Sequence, residues 1–333
     1  MAKKQTSVPR AATAQTTPAD ETERKIRNHW EIVRWGGGFK CPACGWMYTP
    51  EWATQKHLKP RKFSRYRSNL SAPPLPRARD NIVCPKCGTH VSATSRTLLG
   101  GAKKPPSIIF SAVAVFLQAV DGISAAKLKK AIGIGTVQTA QRYIHRFHQA
   151  MKPRPWDRLK GTVQIDEGKM PLSPLKGGRY SLPFIIGVEK MDTGATGRIG
   201  LRISKDPIGK TWYAEAAQMI EIGSTIETRR PATYGFLEEM GCASIKPVEG
   251  TGKLYGKDLL PLCATVNKRV MEFLKKNYRG SVKAKRAQAY LDEIAFRLNH
   301  PDLEAATKDL ISRLLHGRGK TRRKNPICND AMP

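Results

Sequence analysis

The sequence predicts a multi-domain α/β protein in which a larger core follows two small N-terminal modules. Three observations predict it. Cys41-Pro-Ala-Cys44-Gly recurs as Cys84-Pro-Lys-Cys87-Gly. Two helix-capping residues, Ser124 and Thr136, bracket a break at Gly133. The run Thr162-Val-Gln-Ile-Asp166-Glu167 alternates apolar and polar residues and stops at two carboxylates, and strand-like and helix-like segments then alternate to about residue 315.

With 333 residues and 40% hydrophobic residues, the chain can build more than one core. The formal charge is +31 and unevenly placed: residues 1–160 hold 29 Lys/Arg against 8 Asp/Glu, and the remainder holds 29 against 19. The first half is therefore suited to a polyanion, and the second resembles an ordinary soluble domain. No apolar run approaches 18 residues, which excludes a spanning helix, and the first 20 or so residues lack the apolar core of a signal peptide. Residues 1–25 read as a disordered basic tail, as do 316–333. The expected location is the cytoplasm, with no membrane partner.

Residues 26–100 read as a zinc ribbon. Two residues between paired sulfurs let both thiolates of Cys41/Cys44 and of Cys84/Cys87 face one ion, and the glycine after each pair permits the turn. Four thiolates close a tetrahedral Zn²⁺ site, which makes it structural. The 39 residues between the pairs carry Arg61, Lys62, Arg65 and Arg67 interleaved with Phe63 and Tyr66, a loop suited to phosphates. A solvated insertion is the competing reading.

Residues 101–155 read as a helix-turn-helix. An apolar helix over 105–117 precedes Ala125–Ile132, capped by Ser124. Gly133 breaks it, and Thr136 opens Val137–Met151, whose Val137, Ala140, Tyr143, Ile144 and Phe147 make a buried stripe. Gln138, Thr139, Gln141 and Arg142 then stand near the start of the second helix as candidate contacts to the major groove of double-stranded DNA. A plain helical hairpin is the alternative. Pro153 and Pro155 read as a stiff hinge.

Residues 156–315 read as a mixed sheet flanked by helices. After 162–167, strands are expected over 182–189 and 197–204, a helix over 211–220 and a strand over 224–228. A helix over 232–240 and a strand over 243–248 follow, then helices over 259–277, 283–298 and 303–315. A three-strand meander continued by alternating helices and strands describes a ribonuclease-H-like sheet.

The chain resembles the zinc-ribbon insertion-sequence transposases with a ribonuclease-H-like core, the group called ISXO-two-like. The resemblance rests on the two Cys-Pro-x-Cys-Gly knuckles, Val91-Ser-Ala-Thr-Ser-Arg96-Thr, Gly122-Ile-Ser-Ala-Ala-Lys-Leu, and Val163-Gln-Ile-Asp166-Glu167. It continues through Tyr234-x-x-Leu237-x-x-x-Gly241, Leu260-Pro261, and Ala289-Tyr-Leu-Asp-Glu293-x-x-Phe296-Arg297-x-Asn299, covering about residues 38–315. It implies DNA transposition by phosphoryl transfer, with carboxylates and an amide holding Mg²⁺ or Mn²⁺ if the chain is catalytic. It also implies copies of the chain assembled on DNA.

The pattern is broken at two positions. Asp166 matches the first acid. The second acid falls on Arg229, and the third ligand, counted from Gly280, falls on Arg269. Guanidinium groups at Asp166 would pair with it and repel divalent cations, since Arg stays charged near neutrality. The expectation is a transposase fold with impaired or absent catalysis, or a domesticated DNA-binding regulator or architectural protein. The competing reading builds an acidic trio from Asp166, Glu227 and Glu272, using strand and helix spacing to the two arginines.

Overall fold

The structure, a computed structural model, describes residues 18–36, 38–48, 77–78, 81–172, 180–204, 210–239, 241, 243–248, 259–278 and 282–318. The chain divides into two compact units, one of residues 1–95 and 101–110, the other of residues 96–100 and 111–333. Arg61, Lys62, Arg65 and Arg67 lie outside the described residues, as does the expected basic tail beyond residue 318.

In the first unit, helix α1 (Pro18–Trp35) begins seven residues before the expected end of the tail at 25. Pro18 opens the helix, and Asp20 and Glu21 place negative charge in its first turn, where the backbone N–H groups and the helix dipole favour it. An N-terminal composition rich in Ala, Thr and Gln hides that signal. Strands β1 (Phe39–Lys40) and β2 (Met47–Tyr48) form one hairpin. Strands β3 (Arg77–Ala78), β4 (Asn81–Val83) and β5 (His90–Val91) form a second antiparallel sheet. Phe39, Cys41, Ile82, Cys84 and Val91 make a small core, with Trp35, Trp46 and Tyr48 against it. Arg34 ties α1 to the segment after β5: its guanidinium donates to the carbonyls of Ser92 (2.9 Å), Ala93 (2.6 Å) and Ser95 (2.6 Å). Burial lowers its pKa to about 10.

Three helices follow: α2 (Pro106–Gln118), α3 (Ala125–Ala131) and α4 (Val137–Ala150). The caps act as the sequence predicts. Ser124 accepts from the Lys127 amide, Thr136 accepts from the Thr139 amide, and Gly133 takes φ +64° at the break.

The second unit is built on a five-stranded mixed sheet of order β10-β9-β6-β7-β8. Strands β6 (Thr162–Pro171), β7 (Ser181–Lys190) and β8 (Thr196–Ile203) form an antiparallel meander. Helix α5 (Lys210–Met219) leads to β9 (Ser224–Thr228), parallel to β6, and α6 (Pro231–Glu239) leads to β10 (Ala243–Pro247), parallel to β9. Helices α7 (Pro261–Tyr278), α8 (Ala287–Asn299) and α9 (Leu303–His316) complete it. On one face Val163, Ile165 and Ile185 pack with Trp212, Tyr234 and Leu237. On the other, Ile186, Val188 and Leu201 pack with Cys263, Val266, Val270 and Leu291. Strand alternation supplies both faces.

Three expectations are corrected here. Asp166 and Glu167 do not end their strand: β6 continues to Pro171, and Asp166 lies opposite Ile186 in the middle of the β6–β7 ladder. What stops there is β9, whose last pairing is Thr228 with Ile165. The helices expected as a separate 101–155 domain are, from residue 111, in the same unit as the sheet. His148 of α4 meets Glu293 of α8 at 2.9 Å, and Arg297 donates to Glu293 and to the carbonyls of Phe116 and Leu117. Nor does the Pro153–Pro155 stretch stand as a stiff hinge between two domains. It forms a 3₁₀ turn, Pro155–Asp157, in which Asp157 accepts from the Arg154 amide and pairs with Arg313 at 3.0 Å.

The edge strand β8 is covered by side chains. Asn299 exchanges two hydrogen bonds with the backbone of Ile199, and Gln288 does the same with Leu201 and Ile203. These amides are three helical turns apart on α8, so one helix face pairs the edge along its length.

Candidate functional site

Each cysteine pair sits in a hairpin turn. Cys41 and Cys84 start the turns, with their carbonyls accepting from Gly45 and Gly88, which take φ +74° and +67°. An L-residue with a side chain would be strained there. The four Sγ atoms lie within 4.8 Å of one another, with Cys41–Cys87 at 3.8 Å and Cys44–Cys84 at 3.7 Å. Tetrahedral coordination with Zn–S bonds of about 2.3 Å requires S···S edges of about 3.8 Å. The four thiols are thus placed to hold one metal ion such as zinc, and no disulfide joins them. Burial pushes the Cys84 thiol up to about 12, while Cys87, 3.2 Å from the Thr89 hydroxyl, falls to about 6.

Asp166, on the α7 face of β6, has its carboxylate in an ion pair with Arg229 at 2.5 Å. The next residues repeat the arrangement on the opposite face, Arg230 meeting Glu167 at 2.6 Å. Register explains both pairs. β9 stops one residue short of Asp166, and its continuation, Arg229-Arg230, crosses the two carboxylates before Pro231 opens α6. Burial raises the pKa of Glu167, with Arg230 opposing it. Tyr234, whose ionisation burial also opposes, packs on that side, and its hydroxyl and Glu167 Oε1 are both buried without a hydrogen-bond partner.

Glu227 is beside Gln164 in the parallel register, two residues back from the Asp166 level. It is buried and committed: Lys190 contacts it at 3.0 Å and Lys246 at 3.7 Å, and Gln164 donates to it at 3.2 Å. Hydrogen bonds from Lys190 and Gln164 outweigh burial and hold its pKa low. The other end of the same Gln164 amide accepts from the Leu262 N–H, capping the first turn of α7.

Arg269 is not at Asp166, contrary to expectation, and Glu272 does not complete an acidic trio. The buried positions of α7 are Cys263, Val266, Val270, Phe273 and Leu274, so the 3.6-residue period turns Arg269 and Glu272 outward. Both line a cavity of about 550 Å³ with Leu117, Asp121 and Arg297. Among the described residues the four cysteines are the one group of three or more metal-type ligands that converges. Asp166, Glu227 and Glu272 do not form such a group. Cys263 is a buried thiol in the apolar stripe of α7. It faces the sheet 3.3 Å from the Gln164 carbonyl, and burial and Asp166 push its pKa far up.

On α4, Gln138, Gln141 and Arg142 are exposed on one side, opposite buried Ala140, Tyr143 and Phe147. Thr139 is half-buried, and its hydroxyl is engaged by Thr136 at 2.9 Å, so it serves the cap. No helix among the described residues is long and apolar enough to cross a membrane.

The arrangement defines a mixed α/β protein with a four-cysteine cluster in its N-terminal unit. No protein-family model and no curated protein matches the chain.

Proposed function

We propose that the chain is a double-stranded-DNA-binding protein of transposase descent, in which Arg229 has taken the place of a catalytic carboxylate. The single observation carrying this reading is the Arg229–Asp166 ion pair. A guanidinium bonded to the first acid neutralises it and repels Mg²⁺ or Mn²⁺ from the oxygens that would bind them. The strand order β10-β9-β6-β7-β8, with an antiparallel meander and two parallel additions, supports a ribonuclease-H-like core. The exposed Gln138, Gln141 and Arg142 on a capped second helix support major-groove contact. Zinc in the cysteine cluster is structural, because four thiolates leave no open position. Assembly as a homo-oligomer on DNA belongs to this reading.

Purified protein, incubated with Mg²⁺ or Mn²⁺ and the DNA flanking its gene, is expected to bind without cutting. Binding should fall with salt at a slope of about −0.9 per phosphate neutralised. Robust cleavage that Asp166→Ala abolishes would overturn the inactive assignment. Inverted repeats beside the gene favour a resident mobile element, and their absence favours a domesticated regulator or architectural protein.

A further inference from the structure

On the β8 side of the sheet, two strands from β6, a pocket of about 170 Å³ is lined by Arg154, Arg158, Arg198, Arg202 and Arg313, with Asp157 as the one carboxylate. Five guanidinium groups line the pocket, and with Asp157, Asp309, Glu215 and Asp292 within 4.0 Å of Arg313 or Arg202, cations exceed acids by five to four. Two of the five are held by the fold: Arg313 pairs with Asp157 and Asp309, and Arg198 donates to the carbonyls of Trp156 and Arg158. The other three are under-compensated. Arg158 Nε is buried without a hydrogen-bond partner. Arg202 reaches acids only at 3.8 Å (Glu215) and 4.0 Å (Asp292). Arg154 lies 5.3 Å over the ring of Trp156, an indole that is 69% exposed. Burial and the charge of Arg313 depress the Arg154 pKa, with Asp309 and Asp157 only partly opposing them.

Guanidinium forks match phosphate oxygens in geometry and charge, and an exposed indole offers a stacking face to any base. A pocket of only about 170 Å³ favours a group that ends the ligand, because an internal phosphodiester must carry a strand out on both sides. We propose that this pocket binds the terminal phosphate of a nucleoside phosphate, with the base stacked on Trp156. The source is either a free mononucleotide or the 5′-phosphorylated end of a DNA strand.

The test is calorimetry on the full chain with dAMP, deoxyadenosine and inorganic phosphate, together with competition between 5′-phosphorylated and 5′-hydroxyl duplexes of one sequence. Expected are binding of dAMP over deoxyadenosine, a loss of about tenfold or more in Arg158→Gln, and a loss in Trp156→Ala for dAMP with none for inorganic phosphate. Preference for the phosphorylated duplex, erased by Arg158→Gln, assigns the DNA end; equal duplex binding beside dAMP binding assigns the free nucleotide. The proposal is overturned if neither phosphorylated ligand outperforms its hydroxyl counterpart at millimolar concentration. It is equally overturned if Arg158→Gln and Arg154→Gln, each with wild-type circular dichroism and melting temperature, bind as wild type. Should Arg158→Gln not fold, Arg154→Gln decides. None of these outcomes bears on DNA binding through α4 or on Arg229.

Discussion

Arg229 directly follows β9 and Asp166 lies on the adjacent parallel strand β6, and they meet at 2.5 Å because β9 ends one residue before the level of Asp166. Arg230 and Glu167 repeat the contact on the other face. The carboxylates that open a metal-type site in the sequence are thus occupied by the side chains of the next strand's continuation.

Replacing that cation should open the site. In Arg229→Asp, an added carboxylate stands where the guanidinium neutralised Asp166, and Mn²⁺ is expected to bind, read by electron paramagnetic resonance as loss of the free-ion signal, with the wild type leaving that signal unchanged. Asp166→Asn in that background should restore it. A free-ion signal unchanged by Arg229→Asp would show that the guanidinium is not what excludes the cation.

Arg297 compensates a carboxylate removed from water. Glu293 is 2% exposed, and its partners are His148 at 2.9 Å and Arg297 at 2.9 Å. Arg297→Leu also strips two donors from the carbonyls of Phe116 and Leu117. A cost of about 3–5 kcal/mol is expected in urea denaturation, the penalty of breaking a buried pair from one side.

Asp292 gives a pH prediction of opposite sign to the usual carboxylate. It is 1% exposed, and burial, only partly offset by a hydrogen bond from Gln288, raises its pKa to about 6. The folded state therefore favours the protonated acid. Stability from this group is complete below the unfolded value near 4 and is lost as pH rises through about 6. Asp292→Asn keeps the Gln288 contact to Oδ1 (2.9 Å) without the charge. It should stabilise the protein by up to about 3 kcal/mol at pH 7 and by nothing near pH 4, compared by thermal melts at both pH values.

Asn299 guards the open edge of the sheet. In Asn299→Ala, the N–H and C=O of Ile199 lose partners at 2.8 and 2.9 Å. A loss of about 1–3 kcal/mol is expected, with faster aggregation by light scattering, since β8 would present an unpaired edge. Unchanged stability and scattering would remove the edge-protection role.

Much of the fold was legible in the chain because its signals are local. Hydrophobic period placed the five strands and the flanking helices, Ser124 and Thr136 fixed two helix starts, and the repeated knuckle with its glycines set the cysteine cluster. The start of α1 was missed because its acidic first turns follow a run whose composition reads as tail.

The sequence by itself determined the order of elements and which residue types stand at each position, since period, caps and turn glycines act within a few residues. Only the tertiary structure decided which charges meet. Pairing of Arg229 with Asp166 depends on where β9 stops against β6, and the outward turn of Arg269 and Glu272 depends on which stripe of α7 packs on the sheet. Register and rotation are set by the burial of distant apolar residues, so spacing along the chain cannot supply them.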